Sequence, residues 1–276
     1  MPCYLYWPGG GIQGGRDIDG LTAHIDLLPT LMDLLGLEEG KHKPFDGLSL
    51  KGLLQGKVDV LPARSIIMDQ QRIDVPEKGR NAFVMTDDWR LVKGKELYAI
   101  GDDPGQQTNV AKEHPEVVAK LTKDFDAWWA DVSSQIDEYV RIPLGHTEAP
   151  VVTLHSHDWH GPLVPWNHEQ VLKGMVATGF WSVDVVETGT YEIEVCRWPR
   201  ESGLAFGDTP KGATALNIER ARLKVQGIDE TKTVEPDSKG ARFTVNLKAG
   251  PARMEAWLDA DDGKERGAYY VYVTKL

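Results

Sequence analysis

Asp17-Ile18-Asp19-Gly20-Leu21-Thr22-Ala23-His24-Ile25-Asp26-Leu27-Leu28-Pro29-Thr30-Leu31-Met32-Asp33-Leu34-Leu35-Gly36-Leu37 is the stretch on which the reading of this chain turns. Its second half predicts a short core helix. Asp26 is a suitable N-cap, since a carboxylate there accepts from the free amides of the first turn. Pro29 falls inside that first turn, where a missing N–H costs nothing. Leu28, Leu31, Met32 and Leu35 recur at helical spacing. Gly36 can adopt the left-handed conformation that closes a helix.

Working outward, Tyr4-Leu5-Tyr6-Trp7-Pro8-Gly9 precedes this helix, and Asp46-Gly47-Leu48-Ser49-Leu50 and Leu53-Leu54-Gln55-Gly56 follow it. Three motifs in this order resemble the end of the catalytic domain of type I sulfatases, within the alkaline-phosphatase-like superfamily. In that family a strand ending in Trp-Pro-Gly comes first, then the helix, then Asp-Gly-Leu-Ser-Leu and Leu-Leu-x-Gly. The apolar run Cys3–Trp7 suits a strand buried on both faces. Such a strand needs neighbours, and no later alternation of parallel strands and helices supplies them. Gly9-Gly10-Gly11 and Gly14-Gly15 lack the endings of a phosphate or dinucleotide loop and read as turns.

Four short strands are predicted next, at residues 65–68, 81–85, 89–92 and 96–99, separated by turn residues such as Asp87-Asp88 and Lys93-Gly94-Lys95. The spacing predicts an antiparallel meander. Residues 38–62 before it read as a polar link with a short helix at 48–55. Pro115 opens an amphipathic helix to about Val132, with Val118, Leu121, Phe125, Trp128 and Trp129 on one side. Leu121, Phe125 and Trp128 are expected to pack on the meander. This block also resembles the small C-terminal subdomain of sulfatases, through Asp88-Trp89-Arg90-Leu91, Glu96-Leu97-Tyr98-Ala99-Ile100 and Asp103-Pro104-Gly105-Gln106-Gln107-Thr108-Asn109-Val110-Ala111. The resemblance covers residues 2–134.

Residues 145–276 differ in character. His155-Ser156-His157-Asp158-Trp159-His160-Gly161 and Pro165-Trp166-Asn167-His168 form a His-rich, aromatic loop region. Strands follow at 179–185, 189–195, 221–225, 241–247, 252–258 and 269–273, and this spacing predicts a β-sandwich. It resembles the accessory sandwich of some bacterial sulfatases and carbohydrate-binding sandwiches in general. The expected fold is therefore α+β: the end of an alkaline-phosphatase-like α/β core and a small antiparallel-sheet-plus-helix subdomain within 1–140, then an all-β sandwich over 145–276.

The 276 residues suffice for two domains, and the 41% apolar content is that of a folded protein. A net charge of −11 argues against nucleic acid or anionic membrane as partner. No run of about 18 apolar residues marks a membrane helix, and Met1-Pro2-Cys3-Tyr4 lacks the features of a signal peptide. The resemblance implies a periplasmic or secreted parent. Cys3 and Cys196 do not make a disulfide framework or a zinc motif.

Sulfatases use an aldehyde hydrate made from the Cys or Ser of Cys/Ser-x-Pro-x-Arg, and a calcium held by Asp-Asp and Asp-Asn pairs. No such motif occurs here. Cys196-Arg197-Trp198-Pro199-Arg200 has its proline one position late. Asp87-Asp88, Asp102-Asp103 and Asp261-Asp262 lie in turn-like contexts, whereas calcium takes about six to eight oxygens from several segments. Neither a catalytic residue nor a calcium ligand is assigned in this chain. His24, although inside the motif, is read as structural. His155, His157, Asp158 and His160 are suitable ligands for zinc or a transition metal, or loop residues bonded to carbonyls. Trp159 and Trp166 can stack on a sugar or cover the sandwich edge. The expected function is the C-terminal portion of a sulfuric ester hydrolase of arylsulfatase type acting on sulfated sugars or polysaccharides, its catalytic centre absent from this chain. The alternative is a non-catalytic carbohydrate-binding module with a sulfatase remnant. The expected partners are a sulfated carbohydrate and the upstream half of the sulfatase domain, with self-association otherwise.

Overall fold

A computed structural model describes residues 3–37, 40 and 43–276. The chain forms two compact units, one running to Arg72 and resuming over Pro76–Ile136, the other comprising Ile73–Val75 and Asp137–Leu276. The fold is α+β, with few helices, several antiparallel sheets and a β-sandwich.

In the first unit, helices α1 (Leu27–Leu35) and α2 (Lys51–Leu54) precede strands β1 (Ile66–Asp69), β2 (Ala82–Met85), β3 (Trp89–Val92) and β4 (Glu96–Ala99), and helix α3 (Pro115–Val132) follows. The four strands form an antiparallel meander in sequential order. Lys93 and Gly94, both at positive φ, make the tight turn between β3 and β4. Leu121, Val117, Val118 and Phe125 of α3 pack on Val84, Leu91 and Leu97 of the sheet. Trp128 lies outside that cluster and touches Phe125 instead, with ring centroids 5.8 Å apart.

Several expectations fail here. Cys3–Trp7 is not a strand. Its one pairing is an isolated bridge from Trp7 to Ile12 around the 3-10 turn Pro8–Gly10. A strand exists only through a partner's hydrogen bonds, and among the described residues no strand pairs with residues 3–6; Tyr4 and Tyr6 are exposed. Part of the polar link, at residues 38, 39, 41 and 42, lies outside the described residues.

Helix α1 forms, with Gly36 left-handed at its end, but it is not buried as its leucine pattern predicts. Leu28 and Leu35 are 56% and 57% exposed, and Leu27 and Leu31 are exposed too. Its buried residues are Pro29 and Thr30. Nor does Asp26 cap it: the residue is helical (φ −80°, ψ −16°) and its carboxylate makes no cap bond. Instead Asp26, fully buried, accepts from Arg64 Nη1 at 2.7 Å, Arg64 Nη2 at 2.6 Å, the Ala23 amide at 2.8 Å and the Leu48 amide at 2.9 Å. Thr30 Oγ1 accepts from the Leu50 amide at 2.9 Å. Asp33 accepts from Ser49 Oγ at 2.7 Å and Lys51 Nζ at 2.8 Å. The helix is thus docked on residues 48–51 by its polar side. Gly47 permits the approach, because a Cβ there would lie 2.0 Å from the Ile25 carbonyl oxygen.

In the second unit, β5 (Ile142–Leu144) and β6 (Val151–His155) precede α4 (His168–Leu172). Then come β7 (Trp181–Val185), β8 (Gly189–Cys196), β9 (Ile218–Val225), β10 (Ile228–Thr233), β11 (Ala241–Leu247), β12 (Gly250–Ala260), β13 (Glu265–Gly267) and β14 (Tyr270–Lys275). One sheet has the order β10-β9-β12-β7-β5 with β13 beside β12, and the other β11-β8-β14-β6. All pairings are antiparallel except β5 with β7. Inward residues of both sheets, such as Leu223, Met254 and Val183 from one and Phe243, Ile193 and Val271 from the other, form one core. The outward residues of β9 and β12, including Arg222, Lys224, Arg253 and Glu255, form a charged outer face.

Gly47→Ala is expected to destabilise the first unit by about 1–3 kcal/mol through overpacking, seen as faster hydrogen exchange across residues 21–54. Burial alone would raise the pKa of Asp26. Hydrogen bonds from Arg64 and the amides of Ala23 and Leu48, with the Arg64 charge, outweigh it and hold the carboxyl below its usual value. A depressed folded-state pKa gives stability that is present above the unfolded value of about 3.9 and lost as pH falls through the folded one. The urea midpoint of the first unit should therefore drop below about pH 4, and Asp26→Asn should lack that component of the drop.

Candidate functional site

The residues singled out from the sequence do not converge. His155 ends β6 and meets Tyr270 edge-on, with ring centroids 5.6 Å apart. His157 and Asp158 are exposed in the 3-10 turn Ser156–Asp158. His160 sits beyond it, held to Phe180 by a two-way backbone bridge, and its Nδ1 lies 3.0 Å from Asp74 Oδ1. Among the described residues, no three His, Cys, Asp or Glu side chains are grouped to hold a metal.

The acidic pairs carry hydrogen bonds. Asp87 accepts from the Leu21 amide at 2.8 Å, and Asp103 from the amides of Gln107 and Thr108 at 2.7 and 2.8 Å. Asp262 pairs with Arg266 at 2.6 Å, and hydrogen bonding from that guanidinium lowers its carboxyl to about 2. Cys196 is buried, and the absence of water around it pushes the thiol up to about 12, the reverse of an activated nucleophile. His24 is exposed.

Trp159 is 5% exposed and meets Trp181 at 5.8 Å in a T-shaped contact. A Cβ on Gly267 would lie 2.5 Å from its ring, so the chain passes close over it. A ring enclosed this way has no face for a sugar. Trp166, just before α4, is 59% exposed, and its amide donates to Gln170 Oε1 at 2.7 Å.

The second unit instead brings together residues distant in sequence. Tyr139 stacks on His160 with centroids 3.9 Å apart and donates to Asp74 Oδ2 at 3.3 Å. Burial, then the Asp74 charge and hydrogen bond, raise its phenol pKa. Phe180 meets the edge of Tyr139 at 5.5 Å, and the guanidinium of Arg253 lies 3.9 Å over the Phe180 ring. Arg253 Nε and Nη2 both reach Glu255 Oε1, at 2.7 and 2.6 Å, and Lys224 Nζ stands 3.8 Å from Glu255 Oε2. Arg253, Glu255 and Lys224 line an open groove of about 580 Å3 with Gln226, Gly227 and Pro251. That volume falls in the roughly 300–1,000 Å3 range of small-molecule sites. Gln226 is fixed at the turn by a two-way bond to the Lys248 backbone, at 2.8 and 2.9 Å. The groove lining presents two cations and one carboxylate.

No protein-family model matches the sequence, and no curated protein matches it. Among solved structures, the chain is similar to a 2-O GAG sulfatase at 24% identity, covering 48% of this chain and 30% of that one, with a TM-score of 0.35. It is similar to a ruminal GH26 endo-beta-1,4-mannanase at 19% identity, covering 50% and 27%, TM-score 0.30. It is also similar to a carbohydrate binding module of Cellvibrio mixtus lichenase 5A in complex with cellotriose, at 13% identity, covering 45% and 97%, TM-score 0.25. The chain spans less than a third of the sulfatase and mannanase chains.

Trp159→Ala is expected to cost about 3–5 kcal/mol of second-unit stability, as loss of a buried aromatic does. Trp166→Ala should cost under about 1 kcal/mol, in keeping with its exposure. Denaturant unfolding of the two variants checks the contrast.

Proposed function

We propose that this chain is the C-terminal portion of a sulfuric ester hydrolase of arylsulfatase type that acts on sulfated sugars or polysaccharides, its second unit a carbohydrate-binding sandwich. The observation that carries the reading is helix α1. It is docked through Asp26, Thr30 and Asp33, while Leu27, Leu28, Leu31 and Leu35 are exposed. Such a leucine face favours burial against further protein. In the sulfatase reading its cover is the upstream half of the catalytic domain, which also carries the nucleophile and the calcium ligands. The motif order Trp-Pro-Gly, helix, Asp-Gly-Leu-Ser-Leu and Leu-Leu-x-Gly supports the same assignment.

The second reading is a non-catalytic carbohydrate-binding module, supported by the open groove of about 580 Å3 on the second unit. The two readings part on activity. The chain by itself should not hydrolyse an aryl sulfate, with or without calcium, because neighbouring binding surface does not replace an activated nucleophile. Co-expression with the upstream half of a related sulfatase should give a stable complex that turns over. Calcium-dependent hydrolysis by the chain alone would place a catalytic centre within it. Failure to associate with any upstream half would favour the binding module.

A further inference from the structure

We propose that the groove beside β9 and β12 binds the anionic substituent of a sugar unit, a sulfate or a carboxylate, through Lys224 and Arg253, with Glu255 as the internal anion it competes against. This rests on the carbohydrate reading of the second unit and adds to it a location and a charge. Among the described residues that line the groove, Glu255 is the one carboxylate. Both Arg253 bonds fall on its Oε1, while Lys224 stands 3.8 Å from Oε2, beyond hydrogen-bonding distance. Two cations therefore share one carboxylate among the side chains that line the groove, within a chain of net charge −11.

Arg253 is also held in place. Phe180 lies under its guanidinium and is itself braced by Tyr139. A guanidinium fixed by stacking loses little freedom on meeting an oxyanion. Glu255 is 13% exposed on its side chain and sits on β12, between β9 and β7 in the sheet, so it cannot swing away. The arriving anion must add to or share its partners. The acidic remainder of the chain repels densely charged polymers at long range. A sparsely charged polysaccharide, read at contact distance, suits this balance better than nucleic acid does.

The test is calorimetric titration of the full chain with dextran sulfate of low substitution, dextran and largely methyl-esterified polygalacturonate at low and moderate salt. Lys224→Gln and Arg253→Gln should each weaken binding of the charged polymers about five- to tenfold, within the span that one charge-assisted contact commands. Glu255→Gln, close in shape to the original, should strengthen it several-fold. Uncharged dextran should bind weakly and respond to none of the three. A preference for dextran sulfate identifies the anion as sulfate, and a preference for polygalacturonate identifies it as carboxylate. Equal affinity in all three variants, with binding intact and sensitive to Trp166→Ala, overturns the groove while leaving the carbohydrate reading standing. Weaker binding by Glu255→Gln also overturns it. Absence of binding to every polymer overturns both.

Discussion

The first unit depends on a single buried carboxylate. Asp26 is removed from water, and an isolated charge in that position would cost several kcal/mol. Four hydrogen bonds offset the cost, and they come from three separate points on the chain. The Ala23 amide holds the turn before α1, the Leu48 amide holds the segment after it, and Arg64 closes from just ahead of the meander. Arg64 Nη2 also donates to the Leu21 carbonyl at 2.7 Å. Three stretches far apart in sequence are therefore registered on one side chain. This gives the Asp-Gly-Leu-Ser-Leu motif a physical meaning: Gly47 allows close backbone approach, the amides of Leu48 and Leu50 donate to Asp26 and Thr30, and Ser49 donates to Asp33.

The second unit solves a similar problem differently. Arg197 is fully buried and has no carboxylate partner. Its Nη1 donates to the carbonyl of Phe206 at 3.1 Å, and its Nη2 to that of Thr214 at 2.5 Å. The guanidinium lies 4.4 Å over the Trp198 ring, and burial lowers its pKa. Arg200, three residues on, pairs with Glu194 on β8. The stretch from Cys196 to Arg200, a near miss to the sulfatase motif with its proline one position late, is thus a corner of the sandwich. Its arginines tie loop carbonyls and a strand together.

What was legible in the sequence follows from which interactions are local. The meander could be read because each strand is short, rich in apolar residues and bounded by turn residues, and α3 because its apolar side repeats at helical spacing. Strand β10, Ile228-Asp229-Glu230-Thr231-Lys232-Thr233, could not be read, since as an exposed edge strand it shows little alternation. The strand expected at Cys3–Trp7 failed for the opposite reason: its composition suits a strand, but pairing is supplied by neighbours and not by composition. Trp159 and Trp166 read alike in sequence and differ only in what covers them. The groove was invisible altogether. Lys224, Arg253 and Glu255 meet through strand register, and Asp74, Tyr139, His160 and Phe180 converge from separate loops and a bridge.

The polarity of α1 links these points. Pattern rules assume that the apolar stripe of a helix faces its own domain. Here hydrogen-bond geometry decides, because leaving Asp26, Thr30 and the amides of Leu48 and Leu50 without partners would cost more than leaving four leucines partly in water. A fully buried leucine gains about 1.5–3 kcal/mol relative to an exposed one, and these retain part of that burial already. An unpaired buried charge costs about 3–5 kcal/mol on its own. The two faces therefore have separate roles: the polar face determines where the helix sits, and the leucine face is left over for whatever it meets next. That division explains how a helix of this composition can be well docked and apolar on its surface at once.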